Sequence, residues 1–174
     1  MARGLTTAVK NELATGVIDP VLLIEIGFGT PVYLTNASFD ITSSVSGSSE
    51  TYLSNGHLKN ISGVNETNQP TKNTLSLSLS GVDQTYISIA LSENIINDDV
   101  HIYRGYLDSN NALISDPFLL FYGTIEEYKI SDNTSTANLI LSVTSHWGNF
   151  SKVNGRTTTD NSQQRFFSSD KGME

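Results

Sequence analysis

Cysteine is absent from this sequence of 174 residues. Its absence excludes disulfides, thiolate zinc sites, cysteine nucleophiles and iron–sulfur ligation. Basic residues are scarce. Ten Lys and Arg stand against eighteen Asp and Glu, a net −8, which disfavours nonspecific adhesion to nucleic acid or an anionic membrane. The acid is dispersed along the chain and does not form a tail. No apolar run approaches the roughly 20 residues of a membrane helix. Residues 1–7 lack the apolar core of a signal peptide, so secretion by that route is not expected. Neither a Walker loop, a Gly-rich dinucleotide fingerprint nor a G-x-S-x-G elbow occurs. There is no repeat of fixed period and no dividing linker, and a chain of this length reads as one domain, 1–174.

Ser, Thr and Asn are abundant and fall at turn-like intervals between apolar runs. Residues 74–80 alternate Leu75, Leu77 and Leu79 against serines, the pattern of a half-buried strand. Residues 137–144 do the same with Leu139, Leu141 and Val143. Residues 21–28 (VLLIEIGF) read as a buried strand, with 32–35 as its hairpin partner across Gly29-Thr30-Pro31. Residues 100–107 and 117–128 are further strands, the second apolar on both faces at its start and charged at its end. Residues 36–54 read as a long loop or a distorted hairpin, and 63–73 as a loop. Asn55-Gly56 marks a turn before a strand at 57–62, and Asp108–Asn111 and Asp132-Asn133-Thr134 mark hairpin tips. Three short helical stretches are expected. The first is an arm within 1–19 capped by Thr6 or Thr7, the second covers 83–91 with Asp83 as cap, and the third covers 159–166 within a polar tail, 147–174. The fold class is mainly β, a single tube-like barrel or sandwich with short helices.

Candidate chemistry is thin. His57, His101 and His146 lie on different elements with no metal-binding spacing. Asp108-Ser109-Asn110 begins like a calcium loop, but Leu113 and Leu119 stand where a glycine and a bidentate glutamate belong. Glu126 and Glu127 are adjacent, and on a regular strand they point to opposite faces, a poor glycosidase dyad. Glycosylation triplets at Asn36, Asn60, Asn65, Asn133 and Asn149 arise easily by chance in so Asn- and Ser-rich a chain. Tyr103, Tyr106, Phe118, Phe121 and Tyr122 have only Arg104 near them in sequence, so core filling suits them better than base stacking. An enzyme is not expected, and no metal or cofactor is implied.

The succession of segments is more telling. It runs from Asp19-Pro20-Val21-Leu22-Leu23-Ile24-Glu25-Ile26 to Leu77-Ser78-Leu79-Ser80-Gly81-Val82. Val100-His101-Ile102-Tyr103-Arg104-Gly105-Tyr106-Leu107-Asp108 follows, then Asp116-Pro117 and Leu120-Phe121-Tyr122-Gly123-Thr124-Ile125-Glu126. It closes on Gln163-Gln164-Arg165-Phe166-Phe167 and Asp170-Lys171-Gly172. This order resembles the amino-terminal region of tail-hub, or baseplate-hub, proteins of long-tailed bacteriophages and gene transfer agents. The resemblance implies a tail-tube β-barrel in a virion, assembled as a homo-oligomeric ring around the DNA channel. Tail tube, distal tail and tail-tip proteins would be its neighbours. Some relatives carry a cysteine-ligated iron–sulfur cluster in a further region, which a chain without cysteine cannot hold. Both a trimer and a hexamer remain open.

On that reading DNA passes without specific binding, and no membrane partner is expected. Glu126, Glu127 and Asp132 are candidates for carboxylates on the lumen or rim, with at most one of the two glutamates facing inward. Phe166, Phe167 and Met173 are candidates for docking the tail onto another subunit. The competing reading is a β-sandwich binding module of a tail fibre or surface protein, recognising carbohydrate or a receptor through an exposed aromatic platform.

Overall fold

A computed structural model describes residues 6–16, 19–63, 72–82, 84–114, 117–132, 137–151 and 159–169. Helix α1, Thr7–Ala14, is capped by Thr6, whose side chain accepts from the Val9 amide. Asp19 precedes β1 (Pro20–Ile26), which turns back into β2 (Val32–Thr35). Then come β3 (Ile41–Ser43), β4 (Glu50–Tyr52), β5 (Leu58–Ile61) and β6 (Thr74–Ser80). Helix α2 (Thr85–Ser92) leads to β7 (Asp99–Tyr106), β8 (Phe118–Asp132) and β9 (Ala137–Ser145). A 3-10 helix over His146–Ser151 and helix α3 (Asp160–Gln164) follow.

Seven strands form one antiparallel sheet in the order β2-β1-β7-β8-β9-β6-β5. The sheet curls into a nearly closed barrel. Its inward side chains meet in one core, with Leu34, Ile24, Ile102, Ile125, Leu141 and Leu77 each supplied by a different strand and each fully buried. Leu58 and Ile61 of β5 pack against the same core, so the two edges of the sheet approach one another. Helix α2 crosses from the end of β6 to the start of β7, and Tyr86, Ala90 and the following Ile95 face that core. The Tyr86 hydroxyl meets His57 Nδ1 at 3.1 Å, tying the helix to the approach to β5.

Strand β8 is fifteen residues long and changes partners along its length. Phe118 to Thr124 pair with β7, and Gly123 to Asp132 pair with β9. Two local devices bend it where the partners exchange. A Cβ at Gly123 would fall on the carbonyl oxygen of Thr144, so only glycine lets the two backbones approach so closely. Just beyond it the register slips by one residue between Ile125 and Glu127, a β-bulge that adds twist.

A second layer explains why residues 21–26 are so uniformly apolar. Leu22, Ile24 and Ile26 point into the barrel, while Val21 and Leu23 point outward and are still buried. The β3–β4 hairpin lies over them, bringing Ile41 and Tyr52 onto Val21, Leu23 and Leu107. Tyr52 is fully buried, its ring edge-on to Tyr33 at 5.4 Å, and burial pushes its phenol well above the ordinary range. Leu53 then bridges to the outer edge of β2: the Thr35 amide donates to the Leu53 carbonyl, and the Leu53 amide to that of Tyr33.

Several expectations are met residue for residue, and some need correction. Of the two readings of 36–54, the hairpin is the one found, as β3 paired with β4. The start of β8 is not buried on both faces: Phe121 enters the core, but Leu119 and Tyr122 lie exposed on the outer surface. The aromatics of this region are therefore divided between core and surface. Helix α2 begins after Gln84, which is in the left-handed region (φ 52°) and makes no side-chain cap; Asp83 lies outside the described residues. The stretch after Trp147 opens within a 3-10 helix. The tip at 133–134 also lies outside the described residues. At the Asp108 tip, the carboxylate accepts the amides of Asn110 and Ala112, each at 2.8 Å, and these bonds hold its pKa below the usual range.

The bend in β8 makes a direct stability test. Gly123→Ala is expected to lower unfolding free energy by about 2 kcal/mol or more, since the added carbon meets backbone and not a movable side chain. Gly63→Ala, where the added carbon meets nothing, is expected to change it by less than about 1 kcal/mol. Urea denaturation of the two variants checks the contrast.

Candidate functional site

The bulge decides where the carboxylates go. Glu127 stands opposite Ser142, which lies between the inward Leu141 and Val143, so Glu127 faces outward. Glu126 is the extra residue of the bulge. Its carboxylate accepts from the Thr144 hydroxyl at 2.5 Å and meets the Lys72 ammonium at 2.5 Å. Both glutamates therefore lie on the outer face of the barrel. A regular strand forbids that arrangement, and the one-residue slip permits it. Thr144 is itself buried, because Gly148 of the 3-10 helix has no side chain and lets that turn lie directly on it. Lys129 shares the outward face with Glu127, two residues on, so this strip carries mixed charge.

Asp132 lies elsewhere. It closes β8 about 20 Å from Glu126 at ordinary strand rise, and it lines a groove with Gly81, Val82, Leu91 and Ala137. Phe166 and Phe167 follow α3 and are both exposed. Met173 lies outside the described residues.

Two further surface features escaped the sequence reading. Tyr122, His101 and Tyr103 stack in a row across the outer face of β7 and β8. Their ring centroids are 4.8 Å and 6.1 Å apart, with interplanar angles of 28° and 11°. The Tyr122 hydroxyl donates to Asp99 Oδ1 at 3.0 Å. Period-two spacing of His101 and Tyr103 was the available signal. The second feature is an acidic corner: Asp98 has its pKa raised, first by burial and then by the negative charges of Glu93 and Asp99. Among the described residues no group of His, Asp and Glu could hold a metal ion, and no helix is long and apolar enough to cross a membrane.

Neither a protein-family model nor a curated protein sequence matches this chain. A solved structure does. A chain from the virion of a native gene transfer agent particle superposes over 88% of this chain with a TM-score of 0.64 and 11% sequence identity. The superposed part is 49% of that virion chain, so the present chain spans about half its length. At this identity the shared property is the fold.

Two tests follow from the electrostatics. Thr144→Val removes a buried donor to a charged acceptor and is expected to cost about 1–2 kcal/mol. Lys72→Met removes only an exposed ion-pair partner, at a cost below about 1 kcal/mol. Thermal or urea unfolding of both variants checks that order. For Asp98, a folded-state pKa raised above 3.8 means the carboxylate costs stability at neutral pH. That cost shrinks as pH falls through the raised value and is gone below 3.8. Asp98→Asn is thus expected to be more stable than the parent at pH 7 and equal to it near pH 3. Paired unfolding curves at the two pH values check the sign.

Proposed function

We propose that this chain is a structural protein of a phage-like virion: a tail-hub or tube-initiating subunit that forms a ring around the DNA channel at the distal tail. The observation that carries this reading is the barrel shared with a gene transfer agent virion chain over 88% of the present sequence. Charge supports it. Each subunit carries −8, so three or six copies in a ring multiply a field that repels phosphate. A conduit that attracted DNA at several phosphates per subunit would hold it back by orders of magnitude at low salt. The role is non-enzymatic, and the expected neighbours are further copies of the chain and the tube and tip proteins above and below it.

Within this reading Glu127 is the carboxylate best placed to face the channel or its rim. Glu126 is engaged with Lys72 and Thr144, and Asp132 lies in the groove beside α2. Lys129 on the same strip weakens any belt of negative potential, so repulsion comes from the whole subunit more than from one residue.

Negative-stain microscopy of the purified protein is expected to show rings of three or six copies with an axial hole. Monomers or compact particles without a hole at all concentrations would overturn the proposal. In virions, Glu127→Lys is expected to leave stability within about 0.5 kcal/mol and to slow DNA ejection more at low salt than at high salt. Ejection at the parental rate under both conditions would remove Glu127 from the channel.

A further inference from the structure

The four most exposed of the large apolar side chains among the described residues fall into two sets on complementary surfaces. One set lines an open groove of about 710 Å³ between α2 and the turn end of the β8–β9 hairpin. Val82 and Leu91 stand at its rim, 76% and 70% exposed, and Ile87, Ile130 and Ala137 line it further in. One carboxylate, Asp132, belongs to the same groove. The other set is Phe166 and Phe167, 63% and 58% exposed. They follow α3 directly, and the exposed Arg165 precedes them. An apolar groove with one anion on the first surface thus faces an aromatic pair with one cation on the second.

We propose that the groove beside α2 receives the Arg165-Phe166-Phe167 segment of a second copy of this chain, with Arg165 against Asp132. The segment does not fill its own subunit's groove, since both its phenylalanines and the groove rim are exposed in the single chain. Aromatic anchors in an apolar pocket, with one charge pair to fix register, are the ordinary means by which a small contact gains affinity. Because groove and segment are different surfaces, the contact is head-to-tail, and repeated contacts of that kind close into a ring or continue as a filament. The contact deepens the ring reading by naming how adjacent subunits join, and it rests on that reading only for closure.

The chain has no cysteine, so single thiols report the contact cleanly. Ser92 lines the groove, and Ser168 follows the aromatic pair; both are exposed. Ser92→Cys and Ser168→Cys proteins, mixed under mild oxidation, are expected to give the mixed disulfide dimer at least tenfold over either self-dimer. Phe167→Glu in the Ser168→Cys partner, or Leu91→Glu in the Ser92→Cys partner, is expected to reduce that product at least tenfold. Asp132→Arg in the groove partner is expected to reduce it severalfold, and Arg165→Asp in the other partner to restore it. All these positions are exposed, and circular dichroism confirms that each variant folds. Self-dimers as abundant as the mixed species would overturn the proposal. So would an intramolecular disulfide as the main product of the double variant Ser92→Cys/Ser168→Cys. Rings that persist in Leu91→Glu would discard this contact and leave the ring reading standing. A mixed disulfide without rings would do the reverse.

Discussion

The bend of β8 is the constraint on which the rest of the molecule depends. A fifteen-residue strand cannot keep one pair of neighbours along its whole length in a sheet that curls. Here its first half belongs to β7 and its second to β9, and the exchange is made over Gly123 and Thr124. Gly123 supplies the close approach and Glu126 the extra residue. Without the bend, β1 and β2 on one side and β6 and β5 on the other would lie in one open sheet. The inward leucines and isoleucines of six strands would then have no common core. The same bulge places both glutamates outside and sets Glu126 over Thr144 and Lys72, so the surface electrostatics are a product of the closure.

Closure alone leaves one flank of the barrel unfinished. The outward residues of β1 are as apolar as the inward ones, and the β3–β4 hairpin exists to cover them. That cover also spends the free edge of β2, because Leu53 takes the Thr35 amide and gives its own to Tyr33. The opposite edge, β5, is four residues long, irregular where it pairs with β6, and carries Lys59. Short, bulged and charged edges resist pairing with stray strands.

How much of this could be read from residues alone depended on how local the cause was. Alternation in 74–80 and 137–144 marked β6 and β9, because one wet and one dry face leave a period of two. Residues 21–26 betrayed burial on both faces but not what covered the outer one. Ile41 and Tyr52 sit singly among Ser and Thr and acquire meaning only against β1. The bulge did leave a trace: apolar positions run 121 and 125, then 128 and 130, so their parity changes across the glutamate pair. That phase change went unread, and with it the placement of Glu126 and Glu127 on one face. The groove was invisible for a different reason, since it joins residues near 82 and 91 to residues near 130 and 137, which no local pattern connects.

The pairing of β1 with β7 has a consequence for the order in which the chain is made. Pro20 to Ile26 emerge from the ribosome about eighty residues before the strand that will hold them. At 5–20 residues per second the wait is roughly 4 to 16 s. During it β1 has only β2 as a strand partner, with the small β3–β4 hairpin beside it, and two-stranded units of that size are marginal in water. The hairpin that covers β1 in the finished barrel is synthesised immediately after it. It can shield one face of a hydrophobic strand throughout the interval, like a temporary sheath. The meander of β7, β8 and β9 then arrives as one local unit, finds β1 on one side and β6 on the other, and ends the exposure.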